Sequence, residues 1–135
     1  MLNFLKKERI VVKKETQYVY VDKMQRFKDS VVIVTGATGS IGEAISQRFA
    51  TEGATVILTG RSEEKLISLK KKFQEMDLDV DYAVMNVADE SSIATAMREI
   101  AERHGKIDVL VNNAGYSART EKKYLHEQSI ENIDI

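Results

Sequence analysis

The 135-residue sequence contains no cysteine and only two histidines, His104 and His126. Without cysteine there are no disulfides, thiolate nucleophiles or cysteine-ligated metals. The histidines stand 22 positions apart, without metal-ligand spacing, so no metal site is expected. No apolar run approaches the ~18 residues that a membrane-spanning helix requires. The opening stretch MLNFLKKERIVVKKE carries charges where a signal peptide needs a continuous apolar segment. These absences lead to the expectation of a cytoplasmic chain with no membrane partner.

Net charge is close to balance at −1, yet it is unevenly spread. Residues 1–28 hold eight Lys/Arg against three Asp/Glu, while the remainder hold twelve against eighteen. A basic arm of this kind suits nucleic acid or an anionic surface. No zinc finger, RNP-type aromatic pattern or basic helix accompanies it, so a solvated extension is the preferred reading and no nucleic-acid partner is expected. The strand-like segments RIVVKKE and TQYVYVD leave an N-terminal hairpin as the alternative. Residues 1–25 are therefore read as a basic extension, and residues 26–135 as the folded unit.

From Ser30 onward, apolar strand-like runs alternate with helical patterns. VVIVT (31–35), ATVILTG, VDYAVMNV and KIDVLVNN read as strands, the first two as strands buried on both faces. Between them, Ile41, Ala44, Ile45 and Phe49 share a helical face that Gly53 ends. SEEKLISLKKKFQEM has a capping serine, acids in its first turn and Leu66, Leu69 and Phe73 on one face. DESSIATAMREIAERHG places Ile93, Met97, Ile100, Ala101 and His104 together and closes with Gly105. Such alternation predicts right-handed βαβ units in an α/β fold, a Rossmann-type doubly wound parallel sheet of order 3-2-1-4. EQSIENIDI begins a further helix-like pattern that stops at Ile135, and this reads as a truncation after the fourth strand.

The chemistry-bearing motifs fall where these strands end. TGATGSIG, Thr35 to Gly42, is a glycine-rich strand-to-helix turn, whose free N–H groups and helix dipole suit phosphate. Gly36 suits the tight turn, Gly39 the approach of pyrophosphate and Gly42 close helix–strand packing. No lysine follows at the position a Walker-type triphosphate loop demands. About twenty-four residues on, TGR ends the second strand. An acid at this place usually meets a free ribose 2′-hydroxyl, whereas a cation meets a 2′-phosphate. Gly60 is not acidic and Arg61 offers a planar fork, which favours NADP(H) over NAD(H). Asn86 and Val87 close the third strand, and NNAG (112–115) closes the fourth. Residues beyond the carboxyl ends of parallel strands line the ligand crevice.

TGATGSIG, TGR, NV and NNAG, in this order and spacing, resemble the short-chain dehydrogenase/reductase family over about residues 26–135. The loop fits T-G-x-x-G-x-x-G fully, which resembles the extended branch. It fits the T-G-x-x-x-G-x-G of the shorter branch except at Ser40, and NNAG favours that shorter branch. The resemblance implies cofactor contacts from Thr35, Gly36, Thr38, Gly39, Ser40, Ile41 and Gly42, with Ile41 toward the nicotinamide. It also implies Arg61 at the 2′-phosphate, Asn86 and Val87 beside adenine, and Asn113, Ala114 and Gly115 at the adenosine ribose. Asn86 stands where the family usually has aspartate. Ser40 replaces a glycine, which is tolerable if its φ is negative.

Family chemistry is hydride transfer between a nicotinamide and a small-molecule carbonyl or alcohol carbon, often in homo-oligomers. A tyrosine with a lysine four residues later serves as its acid/base pair. None of the five tyrosines here has that lysine, so no catalytic residue is assigned. Two readings follow. One is the cofactor-binding portion of an oxidoreductase, inactive alone; the other is a non-catalytic NADP(H)-binding or sensing module.

Overall fold

The computed structural model describes residues 25–115. The N-terminal extension or hairpin, Tyr116, Ser117 and the EQSIENIDI segment lie outside the described residues. Four strands and three helices alternate: β1 Val31–Val34, α1 Ser40–Thr51, β2 Thr55–Gly60, α2 Glu63–Glu75, β3 Val80–Val84, α3 Glu90–His104 and β4 Val109–Val111. All neighbouring strands are parallel, and the order is β3-β2-β1-β4, as the alternation predicts.

The two-residue period of the strands builds a core on each face of the sheet. Val32, Val34, Val56, Leu58 and Val80 pack with Ala50 of α1 and Leu66, Leu69 and Phe73 of α2. Val31, Ile33, Ile57, Ala83 and Met85 pack with Ala96 and Ile100 of α3. β1 is buried throughout because both faces are covered, hence its unbroken apolar sequence. β4 is the opposite case: Leu110 on this terminal strand is 47% exposed. Among the described residues, no helix is long and apolar enough to cross a membrane.

Helix ends follow the expected chemistry at α2 and α3. Ser62 accepts from the Lys65 N–H, and Asp89 accepts from Ser91 and Ser92. Gly105 closes α3 in the left-handed region at φ 75°, where a side chain would be strained. Three details differ from the sequence reading. The buried positions of α1 are Gly42, Ser46 and Ala50, whereas Ile41 and Ala44 are exposed. In α3, Ala101 is exposed and Ala96 takes the inward place. The third strand ends at Val84, leaving Asn86 and Val87 in the loop beyond.

At the back of the sheet, Glu52 is almost wholly buried and paired with Arg26 and Arg48. Phe27 packs edge-on against Phe49, with ring centroids 4.7 Å apart, so residues 26–30 pack with the fold. The Arg26 hydrogen bond holds the Glu52 carboxyl down to about 2; burial opposes this and Arg48 reinforces it. A carboxyl depressed in the folded state stabilises above its unfolded value and loses that contribution as pH falls through the folded one. The urea midpoint should therefore drop between pH 5 and pH 2, and Glu52→Gln should flatten that part of the profile.

Candidate functional site

The glycine loop leaves β1 at Thr35 and turns sharply at Gly36, whose φ of 62° lies in the left-handed region. A methyl on Gly36 would stand 2.9 Å from the Ala114 Cα. Gly42 is more constrained still. A Cβ there would lie 2.2 Å from the Gly36 carbonyl oxygen and 2.8 Å from Asn113 Nδ2. The first turn of α1 thus backs directly onto the loop, and this explains why small residues face inward.

Gly39 is different. Its backbone is extended, at φ −81° and ψ 161°, and an added methyl would meet only the Gly36 carbonyl at an ordinary 3.5 Å. Nothing in the protein's own packing requires glycine there. The absent side chain instead leaves the N-terminus of α1 open. Gly39 caps α1 without any side-chain hydrogen bond, and the first intrahelical bond is Glu43 N–H to the Gly39 carbonyl at 2.8 Å. The N–H groups of Ser40, Ile41 and Gly42 precede that bond and have no protein acceptor among the described residues. α2 and α3 both have capping side chains; α1, at the glycine loop, does not. Ser40 lies within the helix and is not among the residues with positive φ, so its side chain is accommodated.

NNAG is fastened to this loop by hydrogen bonds that the sequence did not disclose. Buried Thr35 places its hydroxyl where Asn113 N–H and Ala114 N–H both donate to it at 2.9 Å, while it donates to the Val111 carbonyl at 3.2 Å. Asn113 Nδ2 donates to the carbonyls of Thr35 at 3.0 Å and Gly36 at 3.3 Å. With its hydroxyl so engaged, Thr35 shapes the site by holding the β1 and β4 loops together. The signal was a threonine at the end of β1, but its partners stand more than seventy residues away in sequence.

The remaining candidates surround the same carboxyl edge. Arg61 follows β2, exposed, with no hydrogen bond or ion pair among the described residues. Gly60, just before it, has only ordinary-distance neighbours, Leu66 and Thr38, for an added Cβ. Thr38 is half-buried beside that strand end. Asn86 Oδ1 accepts from the Ala88 N–H at 3.1 Å, which uses one of its two lone pairs and leaves one for a further donor. Val87 is 47% exposed and Ile41 68% exposed, two large apolar side chains on an otherwise polar edge. Gly115 is exposed at the end of the NNAG segment. Among the described residues no cluster of histidine, aspartate or glutamate is arranged to hold a metal ion.

Residues 30–134 match the family model of the short chain dehydrogenases. The chain is 39% identical over 92 residues to a 3beta-hydroxysteroid dehydrogenase of Mediterraneibacter gnavus, covering 68% of this chain and 33% of that protein. It is 43% identical over 90 residues to a 3-oxoacyl-acyl-carrier-protein reductase of Thermotoga maritima, covering 67% and 37%. The structure resembles a gluconate 5-dehydrogenase from Burkholderia cenocepacia, solved with NADP and tartrate. The TM-score is 0.69 at 29% identity, over 81% of this chain and 42% of that one. The chain thus spans roughly a third to two fifths of the length of these relatives. With the glycine loop, the NNAG lock and the parallel sheet agreeing with these matches, the chain belongs to the short-chain dehydrogenase/reductase family.

Proposed function

We propose that residues 26–135 form the cofactor-binding portion of an oxidoreductase that moves hydride between NADP(H) and a small-molecule carbonyl or alcohol carbon. Residues 1–25 are its basic extension. The observation that carries this reading is the uncapped start of α1 beside Gly39, where three N–H groups and the helix dipole lack a protein partner. An anionic pyrophosphate satisfies all of these demands at once. Gly39 supports it independently, because its missing side chain is explained by a bound group and not by packing. When bound, a nicotinamide dinucleotide supplies or accepts the hydride.

The chain's own residues then bind and orient. Ser40, Ile41 and Gly42 donate backbone N–H groups to phosphate oxygens. Ile41 and Val87 offer apolar surface, and the residual lone pair of Asn86 Oδ1 accepts from an exocyclic amine. Thr35 and Asn113 keep the two loops in register, so that Ala114 and Gly115 border the ribose. The Tyr-x-x-x-Lys pair that resemblance leads one to seek is absent from these 135 residues, so the chain alone binds without turnover.

Preference for NADP(H) rests on Arg61, an exposed guanidinium without a protein partner at the end of β2, and on the absence of an acid at Gly60. The related structures solved with NADP lend support. Arg61→Ala should weaken NADPH binding about 10- to 100-fold by removing charge-assisted hydrogen bonds to the 2′-phosphate. NADH binding should change little. Calorimetric titration of both cofactors into both proteins distinguishes this from a general loss: equal weakening of NADH would contradict the assignment.

A further inference from the structure

β3 is the outer strand of the sheet among the described residues, on the side away from β4. The Asp79 carbonyl and the Met85 N–H both bond to β2, so strand alternation turns the backbone groups of Val80, Tyr82 and Val84 outward. An outer strand with free N–H and C=O groups is a template for another strand. Tyr82, in the middle of β3, does not have them free. Its N–H donates to Asp81 Oδ1 at 2.8 Å, and its carbonyl accepts from Arg103 Nη2 at 3.1 Å.

The two capping groups are tied to each other and to both helical layers. Arg103 Nη1 donates to Asp81 Oδ2 at 2.7 Å, with His104 Nε2 at 3.0 Å from the same oxygen. Lys70 of α2, from the opposite face, donates to Asp81 Oδ1 at 3.1 Å. Burial pushes the Asp81 carboxyl up, but its bonds to Tyr82, His104 and Lys70 and the charge of Arg103 outweigh this and keep it ionised. A strap therefore runs from α2 over the edge of β3 to α3. An incoming strand has to break both Tyr82 contacts and bring its backbone against this charged cluster.

We propose that the Asp81–Arg103 strap is a blocking device that keeps the free edge of β3 from pairing with a second copy of this chain. The occupant excluded is a second copy because an unblocked β3 would offer the same backbone edge on every molecule, a self-complementary pairing. β4 shows the contrast: Leu110 is 47% exposed there, and no such strap crosses it among the described residues.

The chain has no cysteine, so single introduced thiols report edge contacts without background. Arg103→Ala and Asp81→Ala should each shift the full chain to at least twice the parental mass in light scattering at equal concentration. Val84→Cys should crosslink between copies in those two backgrounds but not in the parent. Leu110→Cys should behave alike in all three. In the unaltered chain, the Tyr82 amide should exchange with deuterium about tenfold more slowly than the outward Val84 amide. Variants that stay folded by circular dichroism and keep the parental mass would overturn the proposal. So would a Tyr82 amide that exchanges as fast as that of Val84, a result that holds even where the variants do not fold.

Discussion

Gly42→Ala should destabilise the chain by about 3 kcal/mol or more, above the usual range for an overpacked core, because the added methyl meets fixed backbone. Its Cβ would lie 2.2 Å from the Gly36 carbonyl oxygen, 2.8 Å from Asn113 Nδ2 and 2.9 Å from the Ala37 Cα. Only the first turn of α1 can yield, and that turn is held by Ser46, whose hydroxyl donates to the Gly42 carbonyl at 2.7 Å. Moving it also pulls Asn113 from the carbonyls of Thr35 and Gly36. Against a total stability of about 5–15 kcal/mol for an ordinary domain, that loss is a large fraction. Urea denaturation followed by circular dichroism measures it. A change below about 1 kcal/mol would show that α1 shifts freely over the loop.

Gly39→Ala should do the reverse, leaving stability within about 1 kcal/mol while abolishing most cofactor affinity. The extended backbone of Gly39 accepts a methyl, which the protein itself meets only at 3.5 Å. A methyl at the uncapped start of α1 is, however, expected to hold a phosphate away from the open N–H groups. Losing two charge-assisted hydrogen bonds at ~1.5 kcal/mol or more each corresponds to about 100-fold in affinity or greater. Denaturation and NADPH titration of the same sample separate the two effects. Three residues apart at the start of α1, Gly42 is set by packing, whereas the proposed role of Gly39 is to leave room for the ligand. The pair of variants reads that division directly.

Much of this architecture was legible because the strands and helices announce themselves locally. VVIV and TVIL are apolar without alternation because both faces of the sheet are covered, and β1 is indeed buried at every position. Ser62 and Gly105 marked helix ends where their side-chain oxygen and left-handed backbone are needed. On α1, Ile45 and Phe49 pack against the core as the periodicity predicts, but Ile41 and Ala44 do not, for a physical reason. Periodicity assumes that large apolar residues turn inward, but where a helix backs onto a loop the inward positions must be small. Gly42 and Ser46 are buried, and Ile41 is left outside.

What escaped the sequence is mostly pairing at a distance. Thr35 and Asn113 belong to separate motifs, and only the adjacency of β1 and β4 makes them one lock. Glu52 and Arg26 likewise meet across twenty-six positions. Asp81 did carry a hint: a charge inside VDYAV is unusual for a strand covered on both sides, and it marks β3 as an outer strand. The identity of Arg103, Lys70 and His104 as its partners required the helices to be placed.

Titrating NADPH into the unaltered chain, in parallel with Gly39→Ala, tests the proposal that NADP(H) binds at the open start of α1. Saturable one-site binding is expected, tighter for NADPH than for NADH, with a rise in melting temperature that grows with cofactor concentration and is missing in Gly39→Ala. A folded chain that binds neither cofactor, or binds both equally well in the parent and in Gly39→Ala, would contradict it.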